Sequence, residues 1–128
     1  MMFIDSFAWI EYFMGTERGR KVKKIIEGNV ITYTSPTVIA EIFSKSVRTD
    51  GQDKARERVD FIVDRCVLIQ TDENIAVEAG RLHGEMKPKI KDFGLADAFI
   101  LASARSKGAK VVTGDPHFKD LDDTVFLD

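Results

Sequence analysis

The chain has 128 residues, of which 44% are hydrophobic and 31% are charged, as in an ordinary globular protein. This length suits one domain with a real hydrophobic core and leaves too little chain for two, so we predict a single domain over residues 1–128. The formal net charge of −2 gives no overall basic field for coating nucleic acid. The lone cysteine, Cys66, excludes an internal disulfide and a cysteine-based zinc cluster.

Short apolar and β-branched runs, each bounded by turn residues, predict five strands. The first run stops at Asp5, and the fourth ends at Gly114. The predicted strands cover residues 1–4, 30–33, 67–69, 110–113 and 124–126.

Helices are predicted between these strands from amphipathic periodicity and capping residues. Ser6 is predicted to cap the first helix, and Ser35 opens the third. The inner edge of the charged fourth helix is predicted to hold Val59, Ile62 and Val63. The predicted helices cover residues 7–13, 16–27 and 53–65, two segments that begin near residues 35 and 72, residues 94–106, and one segment before the last strand.

The alternation of short apolar strands with helices is typical of a parallel sheet that is covered on both faces. We therefore predict an α/β fold of three layers, α/β/α, with a central parallel sheet of about five strands. In such open sheets, functional sites form outside the carboxyl ends of the strands. Asp5 follows the first strand and Asp115 follows the fourth, so both are expected at the same edge of the sheet.

Residues 94–106, GLADAFILASARS, predict a helix of small and apolar residues with one carboxylate, Asp97. Positions three and four apart share a helix face, which puts Asp97 beside Phe93, Ile100 and Leu101. A carboxylate aimed into a core is costly unless it is paired or bound to a metal. We therefore expect Asp97 to point inward and to meet other charged groups, and a buried, hydrogen-bonded aspartate is the alternative.

The other candidate residues have plainer explanations when each is taken alone. Asp5 could be a helix cap, and Asp115 could belong to a turn. Glu41 lies on a polar helix side, so a solvated surface explains it well. Thr113 has its hydroxyl at the same edge as Asp115, whereas His117 is expected to be a solvated turn residue.

Clustered carboxylate oxygens without cysteine or histidine ligands favour Mg²⁺ or Mn²⁺ over zinc. One or two such ions can activate a water and stabilise the leaving oxygen in an in-line attack at phosphorus. The ions also reverse the sign of an acidic pocket, so that an anionic polymer can enter it. The carboxylates therefore favour hydrolysis of phosphodiester bonds.

Four short motifs, in order and spanning nearly the whole chain, resemble those of PIN domains, specifically the VapC-type toxin ribonucleases of toxin–antitoxin pairs. They are FIDS at residues 3–6, VIAEI at 38–42, GLADAFILASA at 94–104 and VVTGDPHF at 111–118. The resemblance implies that Asp5, Glu41, Asp97 and Asp115 form the catalytic acidic site, and that Asp5, Asp97 and Asp115 bind the metal.

The same resemblance implies supporting roles for Ser6 and Thr113, whose positions match the motifs. Where the family often carries another acid, two positions after the last motif aspartate, this chain has His117. That departure bears on how a second metal is held.

The resemblance also implies a PIN-like fold, a homodimer, cleavage of RNA with Mg²⁺ or Mn²⁺, and a cognate antitoxin that wraps the surface and fills the site. The first predicted helix is apolar on nearly every side, which favours docking of a protein partner. We therefore expect Trp9, Tyr12 and Phe13 to contribute to the antitoxin groove. No stretch approaches the roughly 20 apolar residues of a membrane span, and MMFID lacks the basic start of a secretory signal, so we expect a cytoplasmic protein.

Other functions stay open at this point. A PIN-like RNA-processing nuclease outside a toxin–antitoxin system and a non-catalytic PIN-like binding domain are the nearest alternatives. A phosphatase of the haloacid dehalogenase type also starts at an aspartate after the first strand, but it needs a second aspartate two residues later, where this chain has Phe7. No glycine-rich loop follows Asp5, which disfavours a nucleotide-binding fold.

Overall fold

The computed structural model describes every residue from Met1 to Asp128, and it contains one sheet of five parallel strands. The strands are β1 (Met2–Ile4), β2 (Thr32–Thr34), β3 (Val67–Leu68), β4 (Lys110–Thr113) and β5 (Thr124–Phe126). Their order across the sheet is β3-β2-β1-β4-β5. The predicted α/β class and the parallel five-stranded sheet are confirmed.

Six α-helices connect the strands. They are α1 (Ser6–Met14), α2 (Glu17–Glu27), α3 (Pro36–Asp50), α4 (Gln52–Arg65), α5 (Glu73–Met86) and α6 (Leu95–Ser106). The chain steps from β1 to β2 to β3 in one direction and then returns past β1 to β4, so right-handed crossovers put α1–α4 on one face and α5–α6 on the other. This is the predicted three-layer arrangement. None of these helices is long and apolar enough to cross a membrane.

The centre of the sheet forms the hydrophobic core. Phe3 and Ile4 of β1 and Val111 and Val112 of β4 have no exposed surface. Consecutive apolar residues are buried here because both faces of the central strands are covered by helices. The two strands that lead to Asp5 and Asp115 thus run through the core.

The sequence offered both Asp5 and Ser6 as the cap of α1. Asp5, not Ser6, is the N-cap, and its Oδ1 accepts a hydrogen bond of 2.9 Å from the Ala8 N–H. Asp5 has the extended backbone that a cap requires, whereas Ser6 is already the first helical residue. The Ser6 hydroxyl is therefore free to bond elsewhere.

Three smaller predictions were also wrong. The buried edge of α4 is Ala55, Val59 and Ile62, and this stripe leaves Val63 on the solvent side with 44% exposure. Only a 3₁₀ turn, Pro116–Phe118, lies between β4 and β5 where a further helix was expected. The second strand was predicted to start at residue 30, but it starts at Thr32, where its pairing with Met2 of β1 begins.

Candidate metal centre

Four acidic side chains reach the edge of the sheet at the carboxyl ends of β1 and β4. Asp5 directly follows β1, and Asp115 follows β4 after a single glycine. The two strands are parallel neighbours in register, so their ends coincide. Glu41 comes from α3 and Asp97 from the first turn of α6.

Asp97 was predicted to point into the core, but it does not. It is the third residue of α6, and its Oδ2 accepts a hydrogen bond of 2.9 Å from the Gly94 N–H. The free N–H groups and the dipole at a helix start favour a carboxylate in this position. The apolar periodicity was misleading because an acid in a first turn folds back over the helix end, where Asp97 keeps 17% of its side chain exposed.

His117 contacts two of these carboxylates, so its expected role as a solvated turn residue was wrong. Its Nδ1 lies 3.0 Å from Asp97 Oδ2 and 3.3 Å from Asp115 Oδ1. One ligand atom from each of the three residues lies within 4.8 Å of the others. The sequence carried one sign of this: in the turn DPH, Asp115 Oδ1 accepts the His117 N–H at 2.9 Å and directs the imidazole back toward the acid.

Glu41 faces the same cluster. The Ser6 hydroxyl donates a hydrogen bond of 3.0 Å to Glu41 Oε1 and so connects α1 with α3. Burial raises the pKa of Glu41, the charges of Asp97 and Asp115 raise it further, and the Ser6 bond lowers it. The interpretation of Glu41 as a solvated surface residue was therefore wrong, because the polar side of α3 borders an acidic cleft.

Asp5 is the most buried carboxylate of the group, with 3% exposure. Burial raises the pKa of Asp5 to about 7, and Asp115 and Glu41 add to this rise, whereas the Thr113 hydroxyl and the Ala8 N–H oppose it. The pKa of Asp97 is also raised, first by burial and then by Asp115, with the Gly94 N–H and His117 acting the other way.

The segment that carries Asp115 is fixed by packing and by hydrogen bonds, of which one involves Thr113. The buried Thr113 hydroxyl accepts the Asp115 N–H at 2.9 Å. The ring of Phe7 lies directly against Gly114, where an added Cβ would collide with it. The absence of a side chain at Gly114 therefore lets α1 approach the end of β4.

The sequence profile of the PIN domain family matches residues 2–124. The chain belongs to the PIN domain family. No curated protein matches this PIN domain significantly in sequence. This match supports the family that the four motifs resemble, and not a phosphatase of the haloacid dehalogenase type.

Solved structures share the fold over nearly the full chain. A toxin–antitoxin complex from Klebsiella pneumoniae aligns with a TM-score of 0.79 and 18% identity, covering 100% of this chain and 98% of that chain. VapC20 of Mycobacterium tuberculosis, a toxin that cleaves the sarcin–ricin loop, aligns at 0.77 with 17% identity over 92% of both chains. FitAcB from Neisseria gonorrhoeae aligns at 0.71 with 20% identity, covering 98% and 96%.

The donor set of this PIN domain fits a divalent cation. Asp5, Glu41, Asp97 and Asp115 form no ion pair with lysine or arginine, and His117 is the only basic side chain that pairs with any of them. Mutual repulsion among buried carboxylates is relieved by a bound cation. Asp97 and Asp115 are within joint reach of one ion together with His117.

The aromatic residues of α1 differ in accessibility. Trp9 is fully buried, and its ring packs against Phe13 at 5.7 Å and Phe61 at 6.1 Å between centroids. Trp9 therefore belongs to the core, and its predicted contact with a partner was wrong. Tyr12 and Phe13 are half-buried beside it, so their contact with a partner stays a prediction.

Proposed function

We propose that this PIN domain is a metal-dependent endoribonuclease, the toxin of a VapBC-type toxin–antitoxin pair, acting on RNA in the cytoplasm. The observation that carries the proposal is the convergence of Asp5, Glu41, Asp97 and Asp115 on one edge of the sheet without a lysine or arginine partner. The shared fold with toxin–antitoxin complexes and with an RNA-cleaving toxin supports it.

In the proposed reaction, Asp5, Asp97 and Asp115 hold Mg²⁺ or Mn²⁺. A bound ion of this kind activates a water and stabilises the oxygen that leaves phosphorus. Glu41, half-buried and with a raised pKa, is suited to accept the proton of the attacking water. Ser6 keeps Glu41 oriented and favours its charged form.

A groove beside the acidic residues offers a path for the RNA backbone. It has a volume of about 380 Å³ and is lined by Ser6, Glu41, Lys45 and Arg48, among others. Lys45 and Arg48 are exposed on α3, one and two turns beyond Glu41. Their positive charges can hold the RNA phosphates next to the carboxylates. Without them, a chain of net charge −2 would repel those phosphates.

A second, more apolar cavity is the proposed antitoxin groove. It has a volume of about 260 Å³ between α1, α3 and α4, and its lining includes Phe13, Met14, Ile42 and Arg58. Met14 is 67% exposed at its rim, where its side chain is accessible to a partner. We also propose that the protein forms a homodimer. Light scattering should then give a molar mass twice that of the monomer.

The central test is RNA cleavage by Asp97→Asn. Asparagine can still accept the Gly94 N–H, so the variant should fold with unchanged or higher stability while cleavage is abolished. Asp64→Asn, an exposed change on α4 without an ion pair, should cleave as the wild type does. Chelation of divalent metal should stop cleavage by the wild type and by Asp64→Asn. Cleavage by Asp97→Asn at the wild-type rate would refute the assignment of the catalytic site.

The two alternatives give different results. A non-catalytic PIN-like binding domain should show no Mn²⁺-dependent shift in melting temperature and no RNA cleavage. A nuclease outside a toxin–antitoxin system should cleave RNA but cause no growth arrest that a partner protein relieves.

A further inference from the structure

His117 is the one nitrogen ligand among the carboxylates. We propose that His117 Nδ1 is a metal ligand beside Asp97 and Asp115, and that this mixed oxygen–nitrogen set makes the centre prefer Mn²⁺ to Mg²⁺. The inference deepens the proposed function and rests on it for the reaction that the metal serves. Nothing in the four motif carboxylates alone requires a histidine here.

The geometry brings the imidazole to the place where an ion would bind. Nδ1 faces both carboxylates, at 3.0 Å from Asp97 Oδ2 and 3.3 Å from Asp115 Oδ1. All three ligand atoms lie within 4.8 Å of one another, which is close enough to share one ion.

The ring is held in this orientation by its surroundings. The His117 N–H donates to Asp115 Oδ1, so the backbone and the imidazole of His117 face the same aspartate. The fully buried Phe118 anchors the turn, and the ring of Phe93, 1% exposed, packs edge-on against the imidazole with 6.4 Å between centroids. Only 28% of the His117 side chain is exposed.

The chemistry of the ligands decides which metal is favoured. Mg²⁺ prefers oxygen ligands in near-ideal octahedral geometry. Mn²⁺ also takes mainly oxygen ligands, but as a first-row transition metal it accepts an imidazole nitrogen more readily than Mg²⁺ does. Most of the ligand atoms are oxygens, because Asp97 and Asp115 bind the ion and Asp5 and Glu41 lie close by. Such a ligand set suits Mn²⁺, whereas zinc sites are typically richer in nitrogen and sulfur. One nitrogen among several carboxylates therefore shifts preference from Mg²⁺ to Mn²⁺ without excluding either.

The test is pulsed electron paramagnetic resonance of untagged protein loaded with Mn²⁺, without RNA. A directly bound imidazole produces ¹⁴N modulation of the Mn²⁺ signal. The chain has two histidines, and the other, His83, lies on α5, so His83→Gln is the matched control. We expect the modulation in the wild type and in His83→Gln, and its loss in His117→Asp.

Titration calorimetry with Mn²⁺ and with Mg²⁺ completes the test. His117→Asp replaces nitrogen by oxygen, so the ratio of Mn²⁺ to Mg²⁺ affinity should fall relative to the wild type. Retained Mg²⁺ binding would show that the variant is folded.

Three outcomes would overturn the inference. Mn²⁺ binding by the wild type without ¹⁴N modulation, or with modulation that persists in His117→Asp, would mean that His117 is not a ligand, and the proposed nuclease would stand. An unchanged affinity ratio in His117→Asp would refute the metal preference. Absence of Mn²⁺ and Mg²⁺ binding by the wild type at millimolar concentration would refute both the inference and the proposed function.

Discussion

The Ser6 hydroxyl donates a hydrogen bond of 3.0 Å to Glu41 Oε1 and joins the start of α1 to the middle of α3. The bond stabilises the charged form of Glu41 and lowers a pKa that burial and neighbouring carboxylates raise. A serine at the first position of a helix thus acts on a glutamate 35 residues away in sequence.

Ser6→Ala should make RNA cleavage more sensitive to acid. Without the bond the pKa of Glu41 rises further, because a hydrogen bond that favours its charged form is lost. The acidic limb of the pH–rate profile should therefore shift to higher pH, and the loss of activity should shrink as pH rises. Ser6→Thr keeps a hydroxyl and should retain the wild-type profile, whereas an equal loss of activity at every pH would point to a structural role.

Asp5→Asn should stabilise the metal-free protein at high pH. The pKa of Asp5 is about 7 in the folded chain against an ordinary value of 3.8. Between these values the folded state keeps a proton that the unfolded chain has released, so the free energy of unfolding falls as pH rises, by up to about 4 kcal/mol in total. In urea titrations with chelator, the variant should exceed the wild type by on the order of 2–4 kcal/mol at pH 8 and by little near pH 4.

Asp72→Asn is the matched control for Asp5→Asn. Asp72 caps α5 with the same 2.9 Å bond to a backbone N–H, but it is exposed. Aspartate and asparagine are equivalent caps, so this change should alter the free energy of unfolding by less than about 0.5 kcal/mol at pH 8. No gain in Asp5→Asn at pH 8 would contradict a buried, repelled carboxylate.

Lys45→Ala combined with Arg48→Ala should weaken RNA binding without altering the chemical step. The two charges line the groove beside Glu41 but contact none of the four carboxylates. KM should rise while kcat stays close to the wild-type value, and the salt dependence of log(kcat/KM) should fall by about 1.4 for two lost contacts with a single strand. Lys21→Ala with Lys24→Ala, both exposed on α2, should leave KM unchanged.

Gly114→Ala should destabilise the protein by about 1–3 kcal/mol because the new methyl group overlaps the ring of Phe7. Cleavage should fall as well, since the displaced backbone carries Asp115. Gly80→Ala, in α5 with no neighbour near the added methyl, should instead stabilise by about 0.5–1 kcal/mol. Thermal or urea unfolding of the two variants measures both signs, and equal effects would contradict the close packing.

Met14→Glu should weaken binding of the antitoxin by placing a charge at the rim of the apolar cavity. Val77→Glu on α5 matches it, since Val77 is 68% exposed and Met14 67%. Both variants should be folded and cleave RNA. Co-expression with the cognate antitoxin should relieve growth arrest by the wild type and Val77→Glu but not by Met14→Glu. Equal relief would show that the groove is not part of the interface.

The sequence by itself determined the architecture, because the patterns that specify it are local. Short apolar runs that alternate with helices are typical of a parallel sheet, so the α/β class was predicted, and the strands 110–113 and 124–126 were predicted with the bounds observed. The same reasoning put Asp5 and Asp115 at one edge, since residues after parallel strands share a side of the sheet.

Tertiary structure alone decided which side chains face one another. Helical periodicity cannot distinguish a helix side that faces solvent from one that faces an acidic cleft, so it predicted Glu41 to be a surface residue. Only the packing of α1 against α3 shows that Ser6 lies beside Glu41. Asp97 folds back over its own helix start, and a turn directs His117 onto Asp97 and Asp115. The direction of a side chain depends on caps, turns and the elements packed against it, and these contacts join residues that are far apart in the chain.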